Sequence, residues 1–274
     1  MVRLMDVLPL EERGEDGCCL WLRGELSEAS ASDLASAVAI VADALIHYQC
    51  RGAAALYELW REAVENERSM AANDSRRLVP FIQPVLGLPA KPRTTEHVEG
   101  VVAEYAWFLL AQEHQPAGLE LRTIEGPGFT VSAPGGDGLV VYQRDDSTLM
   151  FRLWEIKKHN SSAHVSRTVG TAYGQLEEKA ERYLAQLTTL ASQYETDVAE
   201  LYSSLSDLWL ERDPRAGAGV AVSTSFDKLP ETCFGTMHKR FPDLGVEQIG
   251  GLVVGLGSFP AFALAVRDRI WNAL

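Results

Sequence analysis

Alternating apolar and polar side chains between residues 134 and 158 predict two neighbouring strands. The segment reads PGGDGLVVYQRDDSTLMFRLWEIKK, with one apolar run before a polar stretch at 144–147 and a second run after it. Successive side chains of a strand point to opposite faces of the sheet. One face of the second run therefore carries three apolar side chains and then two charged ones. They are Leu149, Phe151, Leu153, Glu155 and Lys157. The pattern predicts a β-hairpin or a pair of adjacent strands.

Residues 1–90 show mainly helical spacing of their apolar positions. A short apolar run at 18–22, bounded by glycines, predicts one strand in front of the helices. Prolines at 80 and 84 are expected to break or kink the last helix, because proline lacks the backbone N–H that a helix needs. We predict an N-terminal mainly helical module that holds a partner or packs on the rest of the chain. Its helices are predicted over 33–48, about 52–70 and 75–86.

Residues 91–274 alternate between helical and strand patterns. Thr94 or Thr95 can cap the first helix, and the predicted break near 193–196 divides a long helical region. Such an order is typical of a mixed α/β sheet with helices on both faces. Helices are predicted over 96–112, 165–208, 229–240 and 260–274. Strands are predicted over 119–124, 129–131, 139–143, 149–157, 216–224 and 251–256.

Composition and charge narrow the classes of function. The chain has 274 residues, of which 46% are hydrophobic and 23% are charged, as is ordinary for a globular protein. No apolar run is long enough to predict a membrane span, and the first residues lack a signal peptide, so we expect a cytoplasmic protein. The net charge of −13 argues against strong non-specific binding of nucleic acid by this chain alone. A phosphate-binding loop, a nucleophile elbow and a zinc-protease motif are all missing from the sequence.

Charged residues at the end of the second predicted strand are the main candidates for chemistry. Glu155 and Lys157 lie two residues apart on an otherwise buried face, and Asp137 lies at the start of the preceding apolar run. Burial of such charges is costly unless they pair or bind something. The alternatives are an ordinary same-face ion pair for Glu155 and Lys157, and a turn residue for Asp137 in its Gly-Gly-Asp-Gly context.

An Asp followed some fifteen to twenty residues later by Glu-x-Lys, here Asp137, Glu155 and Lys157, resembles the PD-(D/E)XK nuclease superfamily. The resemblance implies a restriction-endonuclease-like core over about residues 94–225. It also implies that the two acids bind Mg²⁺ or Mn²⁺, together with the backbone carbonyl of Ile156. Lys157 would then contact the attacking water or the scissile phosphate.

Further site residues follow from the same resemblance. The helix before the Asp strand often supplies another acid, and Glu104 on the apolar stripe is favoured over Glu99. The helix after Glu-x-Lys often carries a glutamine with a tyrosine beyond it, which Gln175 and Tyr183 match loosely. A local cluster of basic residues would suit a phosphodiester substrate, or is simply a solvated loop. It comprises Arg152, Lys157, Lys158, His159, His164 and Arg167.

The predicted function is metal-dependent cleavage of DNA, with RNA as the second choice of substrate. An acidic nuclease domain without ATPase motifs resembles the effector subunit of a bacterial anti-phage system of the Hachiman type, which works with a helicase or ATPase partner. A stand-alone type II restriction endonuclease, for which a homodimer would be expected, is one alternative. A non-catalytic scaffold or nucleic-acid-binding subunit is the other. We expect no membrane partner.

Overall fold

A seven-stranded mixed sheet forms the centre of the computed structural model, which describes residues 2–15, 19–127, 136–161 and 163–274. The spatial order of its strands is β1-β2-β9-β8-β7-β6-β5. The four central strands, β2, β9, β8 and β7, run parallel, and an antiparallel strand or hairpin extends each end. Two residues on each side of a turn form a separate small ladder of β3 and β4. The strands are β1 Leu10–Glu15, β2 Cys19–Leu26, β3 Gly87–Leu88, β4 Lys91–Pro92, β5 Leu119–Glu125, β6 Gly138–Arg144, β7 Leu149–His159, β8 Ala216–Thr224 and β9 Ile249–Leu256.

Helices cover both faces of the sheet. Helices α1 to α5 and α9 pack on one face, which we call the α5 face, and α6 to α8 pack on the other, the α6 face. The alternation of side chains decides the face: Val140 and Tyr142 contact the α5 side, and Leu139 and Val141 the α6 side. The helices are α1 Leu4–Val7, α2 Ala31–Gln49, α3 Ala54–Glu65, α4 Ala72–Leu86, α5 Thr95–Glu113, α6 Val165–Leu187, α7 Thr196–Leu210, α8 Met237–Arg240 and α9 Phe259–Asn272.

The predicted fold class, a mixed α/β sheet flanked by helices with a helical N-terminal region, is confirmed. The predicted break at the prolines is wrong, because α4 continues through Pro80 and Pro84. The buried side chains of Leu78, Ile82 and Val85 hold this helix in the core. The helix predicted over 229–240 is reduced to α8, since Pro230 and other loop residues precede it. The strand predicted at 129–131 lies outside the described residues.

The predicted division into residues 1–90 and 91–274 stays a prediction. Strands β1 and β2 belong to the same sheet as the strands that follow residue 90. Hydrogen bonds also join the first part to the last helix and its end, one of them from the Met70 N–H to the Ala273 carbonyl over 2.8 Å. The Trp60 indole donates to the Ile270 carbonyl over 3.4 Å, and the Ser75 hydroxyl donates to the Leu274 carbonyl over 2.9 Å.

Among the described residues, α2 alone is long and apolar enough to cross a membrane, judged by length and composition. Core helices of soluble proteins pass the same test, so the finding is weak evidence for a span. The helix also carries Asp33 and Asp43, and its buried residues Val41, Leu45 and Ile46 pack in the core on the α5 face.

Candidate active site on the β6–β7 hairpin

The hairpin of β6 and β7 brings Asp137, the residue before β6, beside Trp154, Glu155 and Ile156 on β7. The register pairs Gly138 with Trp154, and the Asp137 N–H donates to the Trp154 carbonyl over 2.8 Å. This bond departs from the regular register, in which the Trp154 carbonyl is opposite Gly138, so the ladder is irregular at Asp137. Side-chain alternation along β7 puts Glu155 and Lys157 on the same side of the sheet, the α6 face. The two acids and the lysine therefore share one end of the hairpin.

Asp137 is held by the backbone of the neighbouring strand. Its Oδ2 accepts a hydrogen bond from the Ile156 N–H over 2.6 Å. The pKa of Asp137 is raised to about 7, because burial and the negative charge of Glu155 outweigh the opposite effects of Lys157 and the Ile156 N–H. Ile156 thus contributes its N–H to this site. Its carbonyl as a metal ligand stays a prediction.

Glu155 and Lys157 form an ion pair at the end of the same face. The lysine Nζ donates to Glu155 Oε1. The Glu155 side chain is only 5% exposed, and its second oxygen, Oε2, is buried without a hydrogen-bond partner in the described part of the chain. An unpaired buried acceptor is costly, and more so when it is charged. A cation or a hydrogen-bond donor at Oε2 would remove that cost.

Glu104 shares the electrostatic field of these residues. Burial raises its pKa well above the usual range, Asp137 and Glu155 add to the shift, and Lys157 opposes it. Trp107, about one turn after Glu104 on α5, packs against the start of β6. Its ring lies over Gly138 and would overlap a Cβ there. The side chain of Thr94 accepts a hydrogen bond from the His97 N–H and caps the helix, as predicted.

Glu99, the second predicted choice for the extra acid, has other partners. Its Oε2 accepts hydrogen bonds from Lys158 Nζ over 2.7 Å and from the Asn160 side-chain amide over 2.6 Å. Lys158 is on the α5 face because it is one residue from Lys157 along the strand. Glu99 on α5 and Lys158 on β7 thus form an ion pair of their own, which does not include Asp137 or Glu155.

Gln175 and Tyr183 occupy one side of α6. The Tyr183 ring is close to Gly136, where an added Cβ would lie 2.8 Å from the ring. Burial and the charge of Asp137 both raise the pKa of Tyr183. Gln175 makes no hydrogen bond to the three hairpin residues in the described structure, and its Oε1 is buried without a partner. Steps of four residues put Lys179 on the same side of the helix, between Gln175 and Tyr183. Lys179 is not among the site residues predicted from the sequence, although its spacing from Gln175 is visible there.

The predicted basic cluster does not form one surface. Arg152 is buried on the α5 face, where it donates to the Glu247 carbonyl over 2.7 Å. His159 is buried too, with its ring nitrogens 2.7 Å from Thr168 Oγ1 and 2.9 Å from the Ala163 carbonyl. Strand alternation and local pairing therefore separate residues that are close in sequence. Lys157 is the one member of the cluster that lies with Asp137 and Glu155.

The carboxylates at the end of the hairpin and on α5 are the candidate ligands for a metal ion. Among the described residues, no group of three or more His, Cys, Asp or Glu side chains is arranged to hold a metal ion. Two of the carboxylate oxygens already accept hydrogen bonds: Asp137 Oδ2 from the Ile156 N–H and Glu155 Oε1 from Lys157 Nζ. The donor set itself consists of carboxylate oxygens, which Mg²⁺ prefers, and Glu155 Oε2 has no other partner. The residues therefore fit a hard divalent cation by their chemistry, with rotation of Lys157 away from Glu155.

We expect the variant Asp137→Asn to be more stable than the natural protein at pH 8. An acid whose pKa rises from 3.8 to about 7 on folding binds its proton more tightly in the native state. Its contribution to stability is therefore lost as pH rises from about 4 to 7. Asparagine does not titrate and can still accept the Ile156 hydrogen bond. Thermal melting should show an advantage of the variant that is largest at pH 8 and vanishes near pH 4. An advantage independent of pH would contradict the assignment.

No protein-family model matches the chain, and no curated protein is significantly similar to it. Geometry and side-chain chemistry therefore carry the functional argument.

Proposed function

We propose that the protein is a metal-dependent nuclease whose active centre is formed by Asp137, Glu155 and Lys157. The observation that carries the proposal is their common placement at the end of one hairpin, with a buried Glu155 oxygen that lacks a partner. The order of the strands and of the flanking helices is compatible with the resemblance to PD-(D/E)XK nucleases. Charged residues rarely occupy such buried positions without a paired or bound partner.

Each residue has a role that its position supports. Asp137, Glu155 and Glu104 would hold Mg²⁺ or Mn²⁺, with the Ile156 carbonyl as a further oxygen. A bound ion of this type lowers the pKa of water and neutralises charge on a phosphate. Lys157, released from Glu155, would place its ammonium against the scissile phosphate. Tyr183, beside Gly136, and Gln175 on the same helix would line the approach of the substrate from the α6 face.

The proposed substrate is DNA, with RNA as the second choice. A chain of net charge −13 repels a polyanion at long range, so we propose that a partner such as a helicase or ATPase delivers the substrate. The effector subunit of an anti-phage system in the bacterial cytoplasm would fit this division of labour. A stand-alone restriction endonuclease is the alternative arrangement, in which two copies of this chain would cut both strands.

A cleavage assay with purified protein tests the proposal. Supercoiled plasmid, linear duplex and single-stranded DNA are incubated with Mn²⁺, with Mg²⁺ or with a chelator, alone and beside the ATPase partner. We expect cleavage that requires the divalent ion. A double-strand cut at a defined site by the protein alone would favour restriction, and activity only beside the partner would favour the effector subunit. Cleavage that persists in the chelator would count against a metal-dependent nuclease.

A non-catalytic scaffold is the second candidate, and one observation favours it. The ion pair between Lys157 and Glu155 closes the site without any ion, and the described carboxylates do not converge on one point. In a scaffold these residues would contribute to folding alone. Their substitution would then leave the affinity of the protein for a metal ion unchanged. The distinction is therefore experimental, through metal binding.

The cleavage rate is expected to rise with pH through about 7 at low Mn²⁺. Asp137 has a pKa raised to about 7, so its proton competes with the ion for the same oxygens. The rising limb should move to lower pH as the Mn²⁺ concentration increases. Rate measurements from about pH 5 to about pH 9, at several Mn²⁺ concentrations, test this competition. A rising limb whose pH does not change with the Mn²⁺ concentration would show that Asp137 is not a ligand.

A further inference from the structure

A cavity of about 530 Å³ lies on the α5 face, under the end of α5, and neither Asp137 nor Glu155 lines it. Its lining includes Gly250 and Gly251 of β9, and Gly250 is the register partner of Gly219 on β8. Trp154 lies over Gly219, and Arg152 lies over Gly250, with an added Cβ at Gly250 only 2.8 Å from the Arg152 side chain. The missing side chains at the glycines thus leave room for two large polar side chains and a cavity above the sheet.

The walls of this cavity carry buried hydrogen-bond donors without acceptors. The indole N–H groups of Trp107 and Trp154 and the Nε–H groups of Arg144 and Arg152 have no partner among the described residues. Trp107, Trp154 and Arg152 are 1%, 5% and 7% exposed, so bulk water does not satisfy them. Each such donor is costly to bury. A ligand with several hydrogen-bond acceptors would satisfy them together.

The remaining lining defines the shape and charge of that ligand. Tyr142 joins the two indoles to give three aromatic walls, which favour a flat, apolar-faced molecule. The exposed carboxylates of Asp145, Asp146 and Glu12 stand at the rim and would repel a polyphosphate while accepting hydrogen bonds from hydroxyl or amino groups. The volume is within the range of small-molecule sites.

We propose that this cavity binds a purine or pyrimidine base, free or as its nucleoside, with the indole and arginine N–H groups donating to ring nitrogens and carbonyl oxygens. The base would lie between the aromatic walls, and the ribose or exocyclic amino groups would face the rim carboxylates. Nucleoside triphosphates are excluded by the same carboxylates.

This site is separate from the proposed nuclease centre. Arg152 and Trp154 lie on the α5 face of β7, whereas Glu155 and Lys157 lie on the α6 face. The proposal therefore stands or falls independently of metal binding and cleavage.

Calorimetric titration with bases, nucleosides and nucleoside triphosphates tests the proposal. Ala111, on α5 at the cavity wall, offers a variant that fills the space, Ala111→Phe. Gln112→Phe is the matched control, because it adds a similar ring at the next residue, which is exposed and does not line this cavity. Thermal melting checks the fold of both variants, and Ala111→Leu replaces Ala111→Phe where the larger ring prevents folding.

We expect saturable one-to-one binding of at least one base or nucleoside, at least about tenfold weaker binding of its triphosphate, and at least about tenfold loss of affinity in the Ala111 variant. Gln112→Phe should bind as the natural protein does. Three results would overturn the proposal: no saturable binding of any base or nucleoside at about 1 mM, equal affinity for the triphosphate, or undiminished binding by the folded Ala111 variant.

Discussion

The variants Lys157→Met and Glu155→Gln are expected to lose Mn²⁺-dependent cleavage by at least about 10²–10³-fold. Lys157 supplies the one positive charge of the basic cluster that lies with the acids, and Glu155 supplies the buried oxygen without a partner. Removal of either changes the charge at the reacting phosphate while the shape of the side chain stays similar. Initial rates on labelled DNA provide the measurement, with the proposed ATPase partner present where cleavage requires it.

Lys158→Met is the matched control for this experiment. Lys158 is the next residue on β7, but it pairs with Glu99 on the opposite face. The control should retain activity within about threefold, provided that melting shows an intact fold. Equal losses in Lys157→Met and Lys158→Met would mean that the strand, and not the proposed centre, had been disturbed.

The contact of Trp107 with Gly138 is expected to give the largest effects on stability. Trp107→Ala removes a fully buried indole and should lower the free energy of unfolding by about 3–5 kcal/mol. Gly138→Ala introduces a Cβ that overlaps the same ring and should cost about 1–3 kcal/mol. Because the overlap disappears with the indole, the double variant should cost less than the sum, by about 0.5–3 kcal/mol. Urea unfolding of the four proteins measures all three values.

Gly174→Ala provides the comparison for Gly138→Ala. Gly174 is inside α6, and an added Cβ there meets no atom within 4 Å. Alanine should raise the stability of this helix by up to about 1 kcal/mol. Two results would contradict the placement of α5 against the start of β6. One is a Gly138→Ala variant that is at least as stable as Gly174→Ala, and the other is additive effects in the double variant of Trp107 and Gly138.

Much of the fold was predictable because the hydrophobic pattern is regular. The helical spacing over 33–48 and 96–112 and the alternation over 149–157 correspond to α2, α5 and β7. The continuation of α4 through Pro80 and Pro84 was not predictable, since the tertiary contacts that hold it are distant in sequence. The membership of β1 and β2 in the central sheet was also hidden, because the pairing of β2 with β9 joins residues more than two hundred positions apart.

The site residues proposed from the sequence stay a prediction, and their arrangement was only partly predictable. The spacing of Asp137 and Glu155 on two runs indicated that they lie close together, and the hydrogen bonds of Asp137 to Trp154 and Ile156 place it beside Glu155. The preference for Glu104 over Glu99 followed from their helical neighbours and stays a prediction, since both side chains are buried and Glu99 has its own partners. The sequence could not show that Lys157 turns toward Glu155, since that depends on side-chain rotation. It also gave no sign of the cavity over Gly219 and Gly250, which requires the register of β8 and β9.

Calorimetric titration with Mn²⁺ tests the central claim, that Asp137 and Glu155 form a metal site, without any need for a partner or substrate. The natural protein should bind one or two ions, as expected for nuclease centres of this type. Asp137→Asn and Glu155→Gln should each lose most of the affinity, and Glu99→Gln, a matched acid on α5, should keep it. Absence of binding by the natural protein, or equal binding by Asp137→Asn and Glu155→Gln, would contradict the account and favour a scaffold with a structural ion pair.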